Sequence, residues 1–305
     1  MSIKDFIRNA IPKSLLEWNR ARKKDAQRFS LAAQRDGGEV LTKDILVAQL
    51  KSIGLKTGDH VMVHSAMSKI GFLQNGPKTF VDALFEVVGE TGTVCMPSSP
   101  VKTLQLLHMQ NAPVFELKNT PSAMGAITEY FRQLPRTRRS LHPTEPVCAN
   151  GFLAEEFVKN HFGEISPYTA ISPWKKLMDA GGKIMYIGVT LDNAGTHLHT
   201  LEDAVDFCYP VYAKQVFEAV CIDENGTENT MQTKVHNPEF SKRRKCDGLI
   251  PLFSAKGVLT KHTLGKADCL FLEADKMFQV MKTAYEAQKI TMYTPQGEKI
   301  KGYDE

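Results

Sequence analysis

Apolar residues along the first 36 positions recur at helical intervals: Ile3, Phe6, Ile7, Ile11, Leu15, Leu16 and Trp18. Pro12 interrupts that run, because its ring lacks an amide proton and clashes with the preceding turn. A basic stretch follows at Arg20, Arg22, Lys23, Lys24 and Arg28, and Asp36-Gly37-Gly38 marks a break. From about residue 41 the pattern alternates between helix and strand periods. Thr42 is placed to cap a helix running through Leu50. Gly58-Asp59 turns into His60-Val61-Met62-Val63-His64, a β-rich buried strand. Pro77 stands where a helix start tolerates it, and Phe80, Val81, Leu84, Val87 and Val88 repeat at helical spacing behind it. Thr93-Val94-Cys95-Met96 predicts a second strand, residues 124–131 and 152–158 predict helices, and residues 183–189 form the clearest buried strand. Two β-like stretches, 212–222 and 227–235, flank Asn225-Gly226, a hairpin signal. Residues 267–272 predict a late strand and 273–288 a closing helix.

Strands separated by helices predict an α/β layered fold with a central mixed β-sheet flanked by helices, the hairpin near Asn225 supplying the antiparallel pairing. The organisation expected is a basic helical leader over 1–40, a single domain over 41–290 and a polar, fraying tail over 291–305. The leader is expected to dock on the body or on a partner subunit of a homodimer, or to touch an anionic membrane surface as a peripheral contact.

The chain has 305 residues, 42% hydrophobic and 24% charged, which are ordinary globular values. Its formal charge of +4 arises within residues 1–40, which hold 9 basic and 5 acidic side chains. The body therefore lacks the basic surplus that phosphate neutralisation needs, which argues against a nucleic-acid partner. Its 6 cysteines form no C-x-x-C pair, so reduced thiols are expected rather than a disulfide framework or a cysteine zinc site. No run approaches the roughly 18 apolar residues of a transmembrane helix, and the start lacks a signal-peptide core, so the expected compartment is the cytoplasm.

Four segments carry candidate chemistry. The first, His64-Ser65-Ala66-Met67-Ser68-Lys69-Ile70-Gly71, leaves a strand into a loop of small hydroxyl residues able to offer backbone N–H groups to a ligand. It lacks the Walker order, and no G-x-G-x-x-G occurs, which disfavours a dinucleotide enzyme. The second is Arg138-Arg139-Ser140-Leu141-His142-Pro143. Here neighbouring positive charge is expected to keep His142 neutral. The third, Gly195-Thr196-His197-Leu198-His199-Thr200-Leu201-Glu202, follows a core strand after a loop containing Asp192. On a helix His199 and Glu202 share a face, so the carboxylate can hold one imidazole nitrogen and leave the other as a base. The competing reading is a zinc site of His197, His199 and Glu202, completed from His64, His142 or Asp192. The fourth, Lys242-Arg243-Arg244-Lys245, is a solvated face or a contact to a phosphate at the rim of a site.

Together these segments resemble the aminoglycoside 3-N-acetyltransferase family, antibiotic acetyltransferases whose fold differs from the GNAT fold. The resemblance runs over about residues 41–290. Its further marks are Gly92-Thr93-Val94-Cys95-Met96-Pro97-Ser98, Thr120-Pro121-Ser122-Ala123-Met124-Gly125, Arg139-Ser140-Leu141-His142-Pro143 and Ser172-Pro173, in the family's order. The resemblance implies acetyl-CoA as co-substrate and an amine on an amino sugar as acceptor, either an aminoglycoside or an amino sugar of surface-polysaccharide biosynthesis. It matches His199 to the catalytic histidine and Glu202 to its partner acid. It matches the loop bearing His64, Ser65, Ser68, Lys69, Ile70 and Gly71, and the turn Pro97-Ser98, to the side that receives the pantetheine arm. His142 and Asp192 are expected to bind the acceptor or complete the hydrogen-bond network. Two departures border the acceptor side. Thr144-Glu145-Pro146 stands where the family usually reaches a serine, and the stretch from Asp192 to Thr196 is about one residue longer. The expected reaction is direct acetyl transfer, with Cys95 and Cys148 too apolar in setting to act as thiolates. The alternatives are a zinc-dependent hydrolase and a non-catalytic binding module.

Overall fold

A computed structural model describes residues 13–303. The strands in chain order are β1 (Val40–Leu41), β2 (His60–Ser65), β3 (Phe72–Leu73), β4 (Thr93–Pro97), β5 (Phe115–Glu116), β6 (Arg138–Arg139), β7 (Val147–Gly151), β8 (Lys183–Ile187), β9 (Phe217–Ile222), β10 (Glu228–Thr233), β11 (Leu259–Leu264) and β12 (Ala267–Glu273). A seven-stranded sheet runs β11-β12-β8-β2-β4-β7-β6. Its centre, β8-β2-β4, is parallel, and antiparallel pairs extend it on both sides. The central strands are almost wholly buried because helices cover both faces, so they read as apolar runs.

Alternation along these strands divides the core in two. Val61, Val63, Val94, Met96, Met185 and Ile187 face one layer, packed by helices Lys43–Ile53, Pro77–Val88 and Ala126–Arg132. Met62, Cys95, Ile184 and Tyr186 face the other, under helices Ala154–Val158, Pro173–Asp179 and Ala274–Gln288. Helix starts follow local chemistry. The Thr42 side chain accepts the Ile45 N–H at 3.4 Å, and Pro77 opens its helix.

Two expectations need correction, and one strand was not expected at all. The hairpin around Asn225-Gly226 forms, but not in the central sheet. It pairs β9 with β10 in a separate three-stranded sheet completed by β5. The central sheet is mixed for another reason: β12 runs against β8, and β7 against β4. Strand β11 went unread because it is an edge strand whose middle, Thr260-Lys261-His262-Thr263, is polar and largely exposed. Lastly, the segment expected as a polar tail closes the core. Thr291, Met292, Tyr293 and Thr294 are buried, and Ile300 packs with them. Their hydroxyls find internal partners, so polarity did not mean exposure: Thr291 and Thr294 bond each other at 2.8 Å.

The leader appears as helix Lys13–Asp36, and the part before it lies outside the described residues. No helix among the described residues is long and apolar enough to cross a membrane.

Candidate active site

The carboxyl ends of β2, β4 and β8 open into one cleft, where ligands enter parallel sheets. Gly188 ends β8 at φ +66°, and a Cβ there would lie 2.8 Å from the Lys69 Cβ, so the turn requires glycine. The chain then forms the 3-10 turn Thr196–His199, which runs directly into helix Thr200–Ala204. That continuity places His199 and Glu202 on one face, with Nδ1 3.0 Å from Oε1.

Glu202 is the centre of a buried network. Its other oxygen lies 2.8 Å from His236 Nε2, and the Tyr293 hydroxyl donates to Oε1 at 2.7 Å. The His199 and His236 rings are 4.1 Å apart, and Tyr168 packs on His199 at 5.0 Å. Burial pushes the His199 imidazole down to about 3 against the pull of Glu202, and burial lowers His236 in the same way. For Glu202, burial works to raise the carboxyl, but the adjoining imidazoles hold it below the usual carboxylate range. The resting state is a carboxylate accepting one N–H from each of two neutral rings. A carboxylate only accepts, so the proton of His199 sits on Nδ1 and Nε2 keeps its lone pair on the cleft side.

The cleft has a volume of about 240 Å³. His64 and Pro97 line one wall, and His64 stacks on Tyr186 at 4.8 Å, with burial pushing its imidazole to about 3. Asp192 lines the rim, tied to Asp247 by reciprocal bonds in which the backbone N–H of each donates to the carboxylate of the other, at 3.1 and 2.9 Å. Glu145 projects into the cleft, half-buried, and Gln105 donates to it at 2.5 Å. Burial raises its carboxyl to about 7, against the opposing effects of Gln105 and Arg244.

Other sequence-predicted residues stand apart from the cleft wall. Ser65 ends β2, and residues 67–70 make one helical turn with Ile70 in the core. The Ser68 carbonyl accepts Gln27 of the leader at 3.0 Å, and Gly71 lies beside Leu41 and Gln34. Lys69 packs against Gly188. Ser98 is fully buried: its N–H donates to Pro146 and its carbonyl accepts Arg139. His142 is sealed behind Glu145. Its Nδ1 accepts the N–H groups of Thr144 and Glu145 at 3.3 and 3.1 Å, which shapes the turn that presents Glu145. It is held well below the ordinary imidazole range by burial and by His161, not by arginines as expected.

The zinc trio is not assembled as the sequence suggested. His197 is buried between Trp174 and His64, with neither ring nitrogen hydrogen-bonded. His236 occupies the place it was expected to fill: His199, Glu202 and His236 each offer a ligand atom, all within 4.8 Å of one another. Sequence reading missed His236, Tyr293 and Tyr168, which lie in other segments with no shared spacing. Arg244 and Glu145 carried signals, one in the basic run and the other in the departure after His142-Pro143.

Residues 62–286 match the family model described as aminoglycoside 3-N-acetyltransferase. The aminoglycoside N(3)-acetyltransferase VIII of Streptomyces fradiae is 31% identical over 191 residues, which cover 55% of this chain and 63% of that protein, just under two thirds of its length. An aminoglycoside N(3)-acetyltransferase III of Salmonella is 31% identical over 258 residues, covering 76% and 87%. Among solved structures, AAC-IIIb in binary complex with CoASH superposes with a TM-score of 0.69 at 26% identity, covering 81% of this chain and 97% of that one.

Proposed function

The chain belongs to the aminoglycoside 3-N-acetyltransferase family, and on that premise we propose that it transfers the acetyl group of acetyl-CoA directly to an amine on an amino sugar, an aminoglycoside or a sugar of surface-polysaccharide biosynthesis. The single observation that carries the reading is the His199–Glu202 contact of 3.0 Å, which commits Nδ1 and leaves Nε2 in the cleft. His199 accepts the proton of the attacking amine at Nε2, and Glu202 stabilises the imidazolium that forms. The new bond joins the amine nitrogen to the acetyl carbon, the carbon–sulfur bond breaks, and the departing thiolate takes the proton back from His199. Base assistance of this kind contributes roughly 10²–10⁴-fold. His236 and Tyr293 hold Glu202 from behind. The wall of His64 and Pro97 supports placing the pantetheine arm across the ends of β2 and β4. A cysteine acyl-enzyme is disfavoured, because burial raises both Cys95 and Cys148, the latter to about 11.

The test is thiol release from acetyl-CoA with aminoglycosides, free amino sugars and nucleotide-linked amino sugars as acceptors. Turnover with sequential kinetics supports the reading; thiol release with none of them, by protein that binds CoA, removes it. A second reading, zinc-dependent hydrolysis, draws on the same His199, Glu202 and His236 atoms. Chelator-washed protein that keeps its CoA-dependent turnover eliminates that one.

The homodimer belongs to the same proposal. The leader touches the body through Gln27 and Gln34, on one side. Its opposite side exposes Leu15, Trp18 and Phe29 at 46%, 55% and 76%. Leu15, Trp18, Arg22, Asp25, Phe29 and Ala32 follow the 3-4 spacing of a coiled-coil seam. Paired antiparallel with a second copy, this seam sets Trp18 opposite Phe29, Arg22 opposite Asp25 and Leu15 opposite Ala32, each twice. Arg22→Asp or Asp25→Arg alone should give monomers in sedimentation, and the double exchange should restore the dimer. A monomeric wild type that binds anionic vesicles overturns this pairing.

A further inference from the structure

Arg244 differs from the rest of its basic run. Lys242, Arg243 and Lys245 are exposed, whereas Arg244 turns inward and lines the cleft with His199, Glu145 and Gln105. Its Nη2 donates to Ser241 at 3.3 Å, the Tyr293 hydroxyl lies beside it, and its buried Nε has no acceptor. Among the described residues no carboxylate lies within 4.0 Å of this guanidinium, although it carries five N–H donors. Arg139 makes the contrast. It too is buried without a carboxylate and with an unpartnered Nε, but both of its terminal nitrogens are taken by the carbonyls of Leu117, Thr120 and Ser98, so it serves the fold. Arg244 keeps donors for something that enters.

A cation removed from water calls for an anion with matching hydrogen bonds. A polycationic acceptor is repelled by it, more strongly in a cleft than in bulk water. The diphosphate of CoA is a poor match, because the pantetheine arm separating it from the thioester is long and uncharged. Arg244 sits one tyrosine hydroxyl away from Glu202, and the bond from that hydroxyl to Oε1 is 2.7 Å. Glu145 supplies the opposite polarity on the cleft wall, where it can meet the acceptor's ammonium.

We infer that Arg244 anchors an anionic substituent, phosphate or carboxylate, on the acceptor, so that the substrate is an anionic amino sugar rather than a polycation. The inference rests on the acetyl-transfer reading and narrows its acceptor. The fork geometry suits bidentate binding of either anion. The amine then reaches Nε2 of His199 while the anion is held on the Arg244 side.

The experiment compares glucosamine with glucosamine 1-phosphate, glucosamine 6-phosphate and the corresponding 2-amino uronate, with kanamycin as the polycation. Calorimetric binding is measured with CoA present, and thiol release with acetyl-CoA. The full chain is used as wild type, Arg244→Gln and Arg244→Lys. At least one anionic sugar should bind about tenfold or more tightly than glucosamine, from charge-assisted bonds. Which of the probes does so distinguishes phosphate from carboxylate. Arg244→Gln should level that preference to within about threefold and lower the KM for kanamycin, while Arg244→Lys keeps part of it. Equal binding of glucosamine and all three anionic sugars by the wild type overturns the inference. So does an equal loss of kcat for every acceptor in Arg244→Gln with the preference intact, or a matching loss of CoA affinity. Absent thiol release with a persistent Arg244-dependent preference in calorimetry fails the acetyl-transfer reading instead.

Discussion

His199 and His161 are both buried, and burial pushes both imidazoles down, to about 3 and about 4. Their partners differ. His161 spends Nδ1 on Ser140 at 2.8 Å and Nε2 on the Pro167 carbonyl at 2.9 Å, so both nitrogens hold the fold. His199 spends one nitrogen, on a carboxylate, and keeps the other toward the cleft. Burial alone thus makes an imidazole neutral; the identity and number of its partners decide whether it can do proton transfer. His64, His142 and His197 are as buried as these two, yet each keeps an unpartnered ring nitrogen away from solvent and none touches a carboxylate.

Replacing the two histidines tests this contrast most sharply. His199→Gln should lower kcat by roughly 10²–10⁴-fold with CoA affinity retained, whereas His161→Asn should leave kcat within a few-fold and cost about 1–3 kcal/mol of stability from lost buried hydrogen bonds. Steady-state kinetics and urea melts read the two effects, and a large kcat loss in His161→Asn would break the distinction. Glu202→Gln comes next, with kcat down about 10²-fold, because the amide no longer selects the Nδ1–H tautomer or stabilises the imidazolium. Its pH–rate profile is informative as well: in the wild type the acid limb should lie below pH 6.5, since burial lowers the base.

A smaller effect concerns stability against pH. A histidine lowered in the folded state contributes stability that is present above its ordinary value of 6.5 and is lost as pH falls toward its folded value. Urea midpoints should therefore decline steadily between pH 6.5 and 4, with a shallower decline in His161→Asn; parallel slopes would contradict the assignment. Glu145 works in the opposite direction. Its carboxyl is raised from 4.5 to about 7, so its contribution is full below pH 4.5 and disappears as pH rises to 7. Glu145→Gln should gain stability relative to wild type over that interval, the smallest of these changes.

How much of this was legible follows from sequence distance. The central strands were readable because both of their faces are covered, which gives β2, β4 and β8 the apolar cores Val61–Val63, Val94–Met96 and Ile184–Ile187. The antiparallel additions were not, since edge strand β11 has polar exposed positions and the Asn225 hairpin gives no sign of which sheet it joins. Within the site, the relation of His199 to Glu202 was visible as an i, i+3 pair inside one helical segment. The other contacts of Glu202 come from 34 residues away at His236 and 91 residues away at Tyr293.

The amino-acid order by itself determined the layered fold, the imidazole of His199 beside the carboxylate of Glu202, and the turn that exposes them, because each of these depends on neighbours within one or two turns of chain. Tertiary packing alone decided that a polar C-terminal segment would enter the core, that His236 rather than His197 would share Glu202, and that one arginine of four basic residues would face inward. The physical reason is that a buried carboxylate must satisfy both of its oxygens. Local helix geometry supplied one donor, and only folding could bring the others.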